Sequence, residues 1–350
     1  MEEAIIGKKY IILDDKKGTG CFVDKEDARD LPYDEMALGA PAVDWTKGYD
    51  VERELGIKVK IKNQDGSSSC VGQGFSYYAG VINSAEIGHY IEISAKGFYS
   101  QIALPGGGAY IRDGAKLLVN WGALLEIVLA SYDGGNPPTE KFMLDKSWIT
   151  PELVRTAQTL QGKEYRTITA ASNMDMFASA IQNNLGVVGG VSGSNNNTWG
   201  GNEPKAPKSG ESTWGHCLYF GKFGVDSLGK FISTPNSWGE RKIDDLHRDG
   251  WQKFREDYFN DKFMFNPWTI TDKPNFSMSP ETQKIVEQNE KKVIIESEGI
   301  GRKGIIIGGK LRSISKDRAA EACLYTLANN KLGSFVSSRQ FDEMIKGDNF

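Results

Sequence analysis

The sequence predicts an α+β fold in which a helical half precedes a strand-rich half. Three observations support this. Small and apolar residues recur at helical spacing in three segments that end by Asn184. Beyond Asn184-Leu185-Gly186 the texture changes to short β-branched and aromatic runs broken by Gly and Asn turns. A chain of 350 residues also exceeds the usual size of one core, so two or three cores are expected.

The elements follow in order. Residues 1–38 are charged and mixed, with a short strand expected at Tyr10-Ile11-Ile12-Leu13 and a helix break at Asp30-Leu31-Pro32-Tyr33. This extension is expected to pack across the domain surface. Ser69 to Ser84 reads as a helix, with Cys70, Gly74, Tyr77, Tyr78 and Val81 on one face. Its glycines 72, 74 and 80 cost helix propensity, which points to close packing against a partner. Ile111 to Leu129 and Thr169 to Asn184 are the second and third helical segments. Val187–Val191, His216–Phe220 and Lys230–Ser233 read as strands. Residues 272–280 look like a linker. Beyond it a small appendage is expected, with helices at 283–291 and 316–329 and strands at 292–296 and 304–312, the last turning at Gly308-Gly309.

Composition excludes several classes. The formal net charge of −4 leaves no basic footprint, so nucleic acid is not an expected partner. No run of 18 apolar residues exists, so no membrane span is expected. The first residues carry acidic groups and no apolar core region, unlike a secretion signal. Four cysteines at 21, 70, 217 and 323 show no paired spacing and suit a reducing compartment, so a cytoplasmic or phage-borne location is expected. Cys21, Cys217 and Cys323 read as buried small hydrophobes. Three isolated histidines and scattered cysteines argue against a metal site, and no cofactor is expected. Gly299 to Gly304 spells G-x-G-x-x-G, but Ile305-Ile306-Ile307 follows where a nucleotide site needs a helix.

The candidate chemistry starts at Cys70. A Gly-Ser-rich turn, Asp65 to Ser69, delivers this cysteine to the first turn of a predicted helix. Unpaired backbone N–H groups and the helix dipole favour a thiolate there. Such a nucleophile needs a base and an oxyanion hole. Gln64 lies six residues before it, His216 stands in Trp214-Gly215-His216-Cys217-Leu218, and Asn236 opens Asn236-Ser237-Trp238-Gly239. The order cysteine, histidine, asparagine is a described spacing for cysteine nucleophiles.

These blocks resemble the papain-like cysteine peptidases, over about residues 39–270. Gln64, Ser69 and Cys70 match the nucleophile segment of that family, and Asn236 to Gly239 match its Asn-Ser-Trp-Gly block in full. Ala42-Val43-Asp44-Trp45 resembles the start of the family's mature domain, and Gly189-Gly190-Val191 falls where the family has a strand beside the cleft. Gly106-Gly107-Gly108 resembles the glycines lining its substrate cleft, which makes Gly107 and Gly108 cleft candidates. The chain departs from the family at Val71, where an aromatic is usual, at Ser67, where a disulfide cysteine is usual, and at Pro235. The family's second tryptophan after the block is displaced to Trp251 by residues 241–249.

The resemblance implies a papain-like two-lobed fold. A helical lobe of about 39–150 carries the nucleophile helix, and a β-rich lobe of about 151–270 carries histidine and asparagine. It implies peptide-bond hydrolysis through an acyl-enzyme, without cofactor, on a polypeptide substrate. Cys70 would be the nucleophile, His216 the base, Asn236 its orienting group, Gln64 an oxyanion donor and Trp238 the shield of the His–Asn bond. Two other readings stay open. One is a weakly active or inactive binding or structural protein, with residues 271–350 as an assembly surface. The other is an amidase of cell-wall peptides.

Overall fold

The computed structural model describes residues 12–13, 17–18, 20–37, 42–64, 66–132, 138–242 and 248–271, and four strands between 293 and 336. The expected linker, the helices at 283–291 and 316–329, and the Gly308-Gly309 turn lie outside these residues.

The helix Cys70–Ile87 forms the axis of the first half, and its first 15 residues, Cys70 to Ser84, are all buried. Burial on every face explains how it carries glycines. A Cβ on Gly72 would meet the Ala95 carbonyl oxygen at 2.8 Å, and one on Gly80 would meet the Ile91 oxygen at 2.9 Å. Neighbouring backbone therefore lies where a side chain would be. The helices Ala95–Ile102 and Ile111–Asn120 pack beside it.

The second helical segment is shorter than its periodicity predicts and ends at Asn120. Gly122 follows with φ +95°, a left-handed backbone that ends the helix, and a Cβ there would strike the Ala157 carbonyl. The third segment starts late, at Met174, because the Asn173 side chain accepts the Met176 N–H and caps it.

Two antiparallel four-stranded sheets form the second half, one of them taking its edge strand Tyr49–Asp50 from the first half. One runs Trp251–Arg255, Gly229–Pro235, Lys222–Asp226, Tyr49–Asp50. The other runs Tyr165–Thr167, Met264–Ile270, Val187–Ser194, Thr213–Phe220. The Tyr78 hydroxyl binds the helical half to this second sheet: it donates to the Asn184 carbonyl at 2.8 Å and accepts the Ile270 N–H at 3.0 Å. A further sheet orders Lys310–Ser313, Lys303–Ile307, Val293–Ser297, Ser334–Val336, with the last pair parallel.

A buried ionic cluster holds the segment that leads to Gln64. The Lys62 side chain is fully buried, donates to the Ile93 carbonyl at 2.7 Å and lies 3.7 Å from Glu92, while Lys60 pairs with Glu92 at 2.7 Å. Burial pushes the Glu126 carboxyl up to about 7, with Lys62 opposing and Glu92 adding to the rise. Replacing Lys62 with methionine removes the buried cation that opposes the rise at Glu126 and leaves Glu92 its pair with Lys60 alone. A loss of about 3–5 kcal/mol is expected, read as a lowered midpoint in urea unfolding. A midpoint within error of the unsubstituted chain would contradict it.

Candidate active site

Cys70 is the first residue of its helix and is completely buried. The preceding Ser69 does not cap the helix with its side chain. Its hydroxyl instead bonds the Ser67 hydroxyl at 2.8 Å and accepts from the Gln73 amide at 3.2 Å. The Ser67 hydroxyl also donates to the Gln64 carbonyl at 2.7 Å. Hydrogen bonds thus brace the loop at the position where the resembled family uses a disulfide.

The histidine strand Thr213–Phe220 passes directly against this helix start. A Cβ on Gly74 would sit 3.4 Å from the Cys217 sulfur. The backbone amide of Cys217, the residue after His216, reaches the Cys70 thiol, as do those of Val71 and Gly20. His216 is fully buried and its Nε2 lies 2.9 Å from Asn236 Oδ1. The Trp238 ring stacks on the imidazole, with centroids 4.6 Å apart and planes inclined by 19°. Trp199 and Trp214 close the other sides, with centroids 6.1 and 6.5 Å from the imidazole.

Gln64 joins the two blocks. Its N–H donates to the Ser237 carbonyl at 2.7 Å, its Oε1 accepts the Ser237 hydroxyl at 2.6 Å, and its Nε2 donates to the Ser67 carbonyl at 3.1 Å. Asn63 bridges antiparallel to Trp238, and the Gly239 N–H donates to the Lys62 carbonyl at 2.9 Å. This short backbone ladder explains how residues remote in sequence share one site. Gly108 enters it too. Its N–H donates to the Tyr99 hydroxyl, which donates to Glu140, and Glu140 accepts the Ser68 N–H. Gly107 serves the turn, donating to the Leu104 carbonyl.

One part of the site has no counterpart in the sequence reading. Gly20–Phe22 is inserted between the cysteine loop and the glycine turn rather than lying on the surface. Cys21 and Phe22 pair in parallel with Ala109 and Tyr110, and the Ala109 N–H donates to the Gly20 carbonyl at 2.8 Å. A Cβ on Gly20 would meet the Ser68 carbonyl oxygen at 2.5 Å and the Gly108 Cα at 3.0 Å, so only glycine fits this crossing. Cys70 is wholly buried, and the Gly20 amide of this segment reaches its thiol. Burial, with Cys217 beside it, pushes the Cys70 thiol well above its ordinary value and outweighs the three backbone amides that pull it down. Cys21 is also buried against Cys217, and burial raises its thiol as well. Among the described residues, Cys21, Cys70 and Cys217 are free thiols.

Asp24 anchors the segment. Its carboxylate accepts from the Arg112 N–H at 3.1 Å and from Trp268 Nε1 at 2.9 Å, and its own N–H donates to Asn266 Oδ1 at 2.7 Å. Burial raises this carboxyl from 3.8 to about 6; its hydrogen bonds and Arg112 oppose the rise, and Asp113 adds to it. The folded state therefore holds this proton more tightly than the unfolded chain. The Asp24 contribution to stability is complete below about pH 4 and is lost as pH rises through about 6, a change of at most roughly 3 kcal/mol. Asp24→Asn should remove this component from the pH dependence of urea unfolding. An unchanged slope between pH 4 and 6 would refute the assignment.

Among the described residues no group of three or more His, Cys, Asp or Glu could hold a metal ion, and no helix is long and apolar enough to cross a membrane. No family model matches the chain, and no curated protein matches it. Solved structures do. Xylellain, a cysteine protease from Xylella fastidiosa, matches with a TM-score of 0.57 at 20% identity, covering 75% of this chain and 100% of that one. Procathepsin B S9 from Trypanosoma congolense matches with 0.53 at 12% identity, covering 73% and 86%. The Amb a 11 cysteine protease of ragweed pollen, in its proform, matches with 0.50 at 13% identity, covering 68% of each chain. With its helical and strand-rich halves meeting at the cysteine helix and the histidine strand, this chain has the papain-like two-lobed fold of cysteine proteases.

Proposed function

We propose that the chain is a cysteine peptidase that cleaves polypeptides through an acyl-enzyme, and that it is latent while Gly20–Phe22 covers Cys70. The carrying observation is the convergence at one helix start of a thiol, the amide next to His216, and a histidine bonded to Asn236 under Trp238. Once the covering segment leaves, His216 takes the Cys70 proton and the thiolate attacks the peptide carbonyl. Gln64 Nε2 and the Cys70 N–H hold the oxyanion. The imidazolium returns its proton to the leaving amine. Water, deprotonated by His216, then cleaves the thioester and restores the thiol. Trp238 keeps water from the His216–Asn236 bond. The similarity of the fold to cysteine proteases supports a polypeptide as substrate.

The buried, high-lying Cys70 thiol also favours a second reading, in which the fold persists without turnover. One experiment separates the two. An epoxysuccinyl inhibitor is incubated with the full chain and the adduct is located by peptide mapping. Peptidase function predicts stoichiometric modification at Cys70 once mild denaturant has freed the N-terminal segment, and His216→Ala abolishes it. Modification absent even after partial unfolding of the N-terminal segment by mild denaturant supports the inactive reading.

A further inference from the structure

We propose that Gln252 is a positioning residue that dictates which nitrogen of His216 serves as the base; this rests on His216 being the base in the function proposed above. Gln252 lies in the strand Trp251–Arg255, opposite Thr234, and is completely buried. A buried amide is costly unless its donors and acceptors are used. Gln252 Nε2 donates to the Trp199 carbonyl at 3.0 Å and to the Gly201 carbonyl at 2.6 Å. Both partners can only accept, so the amide has one permitted orientation. Its Oε1 must then face Asn236, whose Nδ2 donates to it at 2.6 Å. Turning Asn236 round would set two oxygens against each other at that distance. Asn236 therefore presents Oδ1 to His216 Nε2, 2.9 Å away.

The consequence passes along the chain of bonds. An oxygen facing Nε2 requires a hydrogen on Nε2. In the neutral imidazole the lone pair then belongs to Nδ1, and Nδ1 is the base. Two backbone carbonyls in the 199–201 loop thus set the tautomer of His216 through two side-chain amides. The loop is itself held: Trp199 packs edge-on to Trp214 and Phe254, and the Lys253 N–H donates to the Asn202 carbonyl at 2.7 Å. The orientation of the Asn236 amide is therefore set by Gln252 and the two carbonyls it binds. Without Gln252, Asn236 could present either end to the ring. Molecules in the turned-round orientation would then hold the proton on Nδ1 or lose the bond.

The test reads the tautomer directly. The full chain carrying Cys70→Ala is labelled with 15N in its imidazoles and examined by NMR at a pH where His216 is neutral. The chain has only three histidines, His89, His216 and His247, and His216→Ala identifies the signal of interest. A proton on Nε2 is expected; a proton on Nδ1 overturns the proposal without any change at 252. Gln252→Leu and Gln252→Met are then introduced, the second because it better fills the space if the first does not fold. Both tautomers should appear in either folded variant. In the Gly20→Val background with Cys70 intact, where the covering segment cannot dock, kcat should fall on the order of tenfold with KM little changed. A tautomer that stays wholly on Nε2 would show that Gln252 only fills the core. A Gly20→Val chain, in which the covering segment cannot dock, that lacks peptidase activity yet shows the Gln252-dependent tautomer overturns the proposed function alone. An active chain whose tautomer ignores Gln252 overturns this inference alone.

Discussion

Replacing Gly20 with valine is expected to raise the rate at which iodoacetamide alkylates Cys70 at pH 7 by at least a hundredfold. The reason is steric. A Cβ at position 20 would lie 2.5 Å from the Ser68 carbonyl oxygen, 2.6 Å from the Ser68 Cβ and 3.0 Å from the Gly108 Cα. Most of this wall is backbone, held by the bonds of Ser68 and Gly108 to Glu140 and Tyr99, so it cannot step aside. Overpacking costs about 1–3 kcal/mol even among side chains, and about 2.8 kcal/mol is already a factor of one hundred in the docked population. The covering segment must leave, while the remainder of the core has no reason to change.

Two effects then act in the same direction on the thiol. Water reaches Cys70, which removes the burial that dominates its raised value. The amides of Cys217 and Val71 remain and continue to favour the thiolate. The midpoint of the alkylation profile should accordingly move to lower pH, and peptidase activity should appear or rise with it. Urea unfolding of the same variant separates opening from collapse. An unchanged alkylation rate in a folded Gly20→Val chain would show that Gly20–Phe22 does not control access.

The legible parts of this site are those written as local blocks. Gln64, Cys70, His216, Asn236 and Trp238 each sit in a short segment whose residue types need each other chemically; in the structure His216 bonds Asn236 under Trp238, Gln64 bonds Ser237, and the amide after His216 reaches the Cys70 thiol. The cover was not legible, because Gly20-Cys21-Phe22 has no periodicity and its fit depends on the missing Cβ atoms of Gly20 and Gly108. Cys21 read as an ordinary buried hydrophobe; it is buried, but beside Cys217 and near Cys70. Gln252 left a faint signal. Alternation places it on the face of Phe254, and a glutamine on an inward face needs partners. The helical period over 111–129 overran its true end because a pattern of apolar residues does not report where Gly122 must pass the Ala157 carbonyl.

Cys70→Ala should lower peptide hydrolysis by at least a thousandfold, and it is best measured in the Gly20→Val background, where latency cannot mask the loss. No other described thiol can replace it. Cys217 faces the helix across Gly74 on the opposite side of its strand from His216, and Cys21 leaves with the covering segment. His216→Ala should cost nearly as much, because an alkyl-thiol nucleophile without its base is mostly protonated and the leaving amine would lack a proton donor. The double replacement should cost little more than either alone, since residues that act as one unit lose their joint contribution at the first removal. Additive losses would mean that Cys70 and His216 act independently. Full activity in Cys70→Ala would remove the acyl-enzyme from the mechanism altogether.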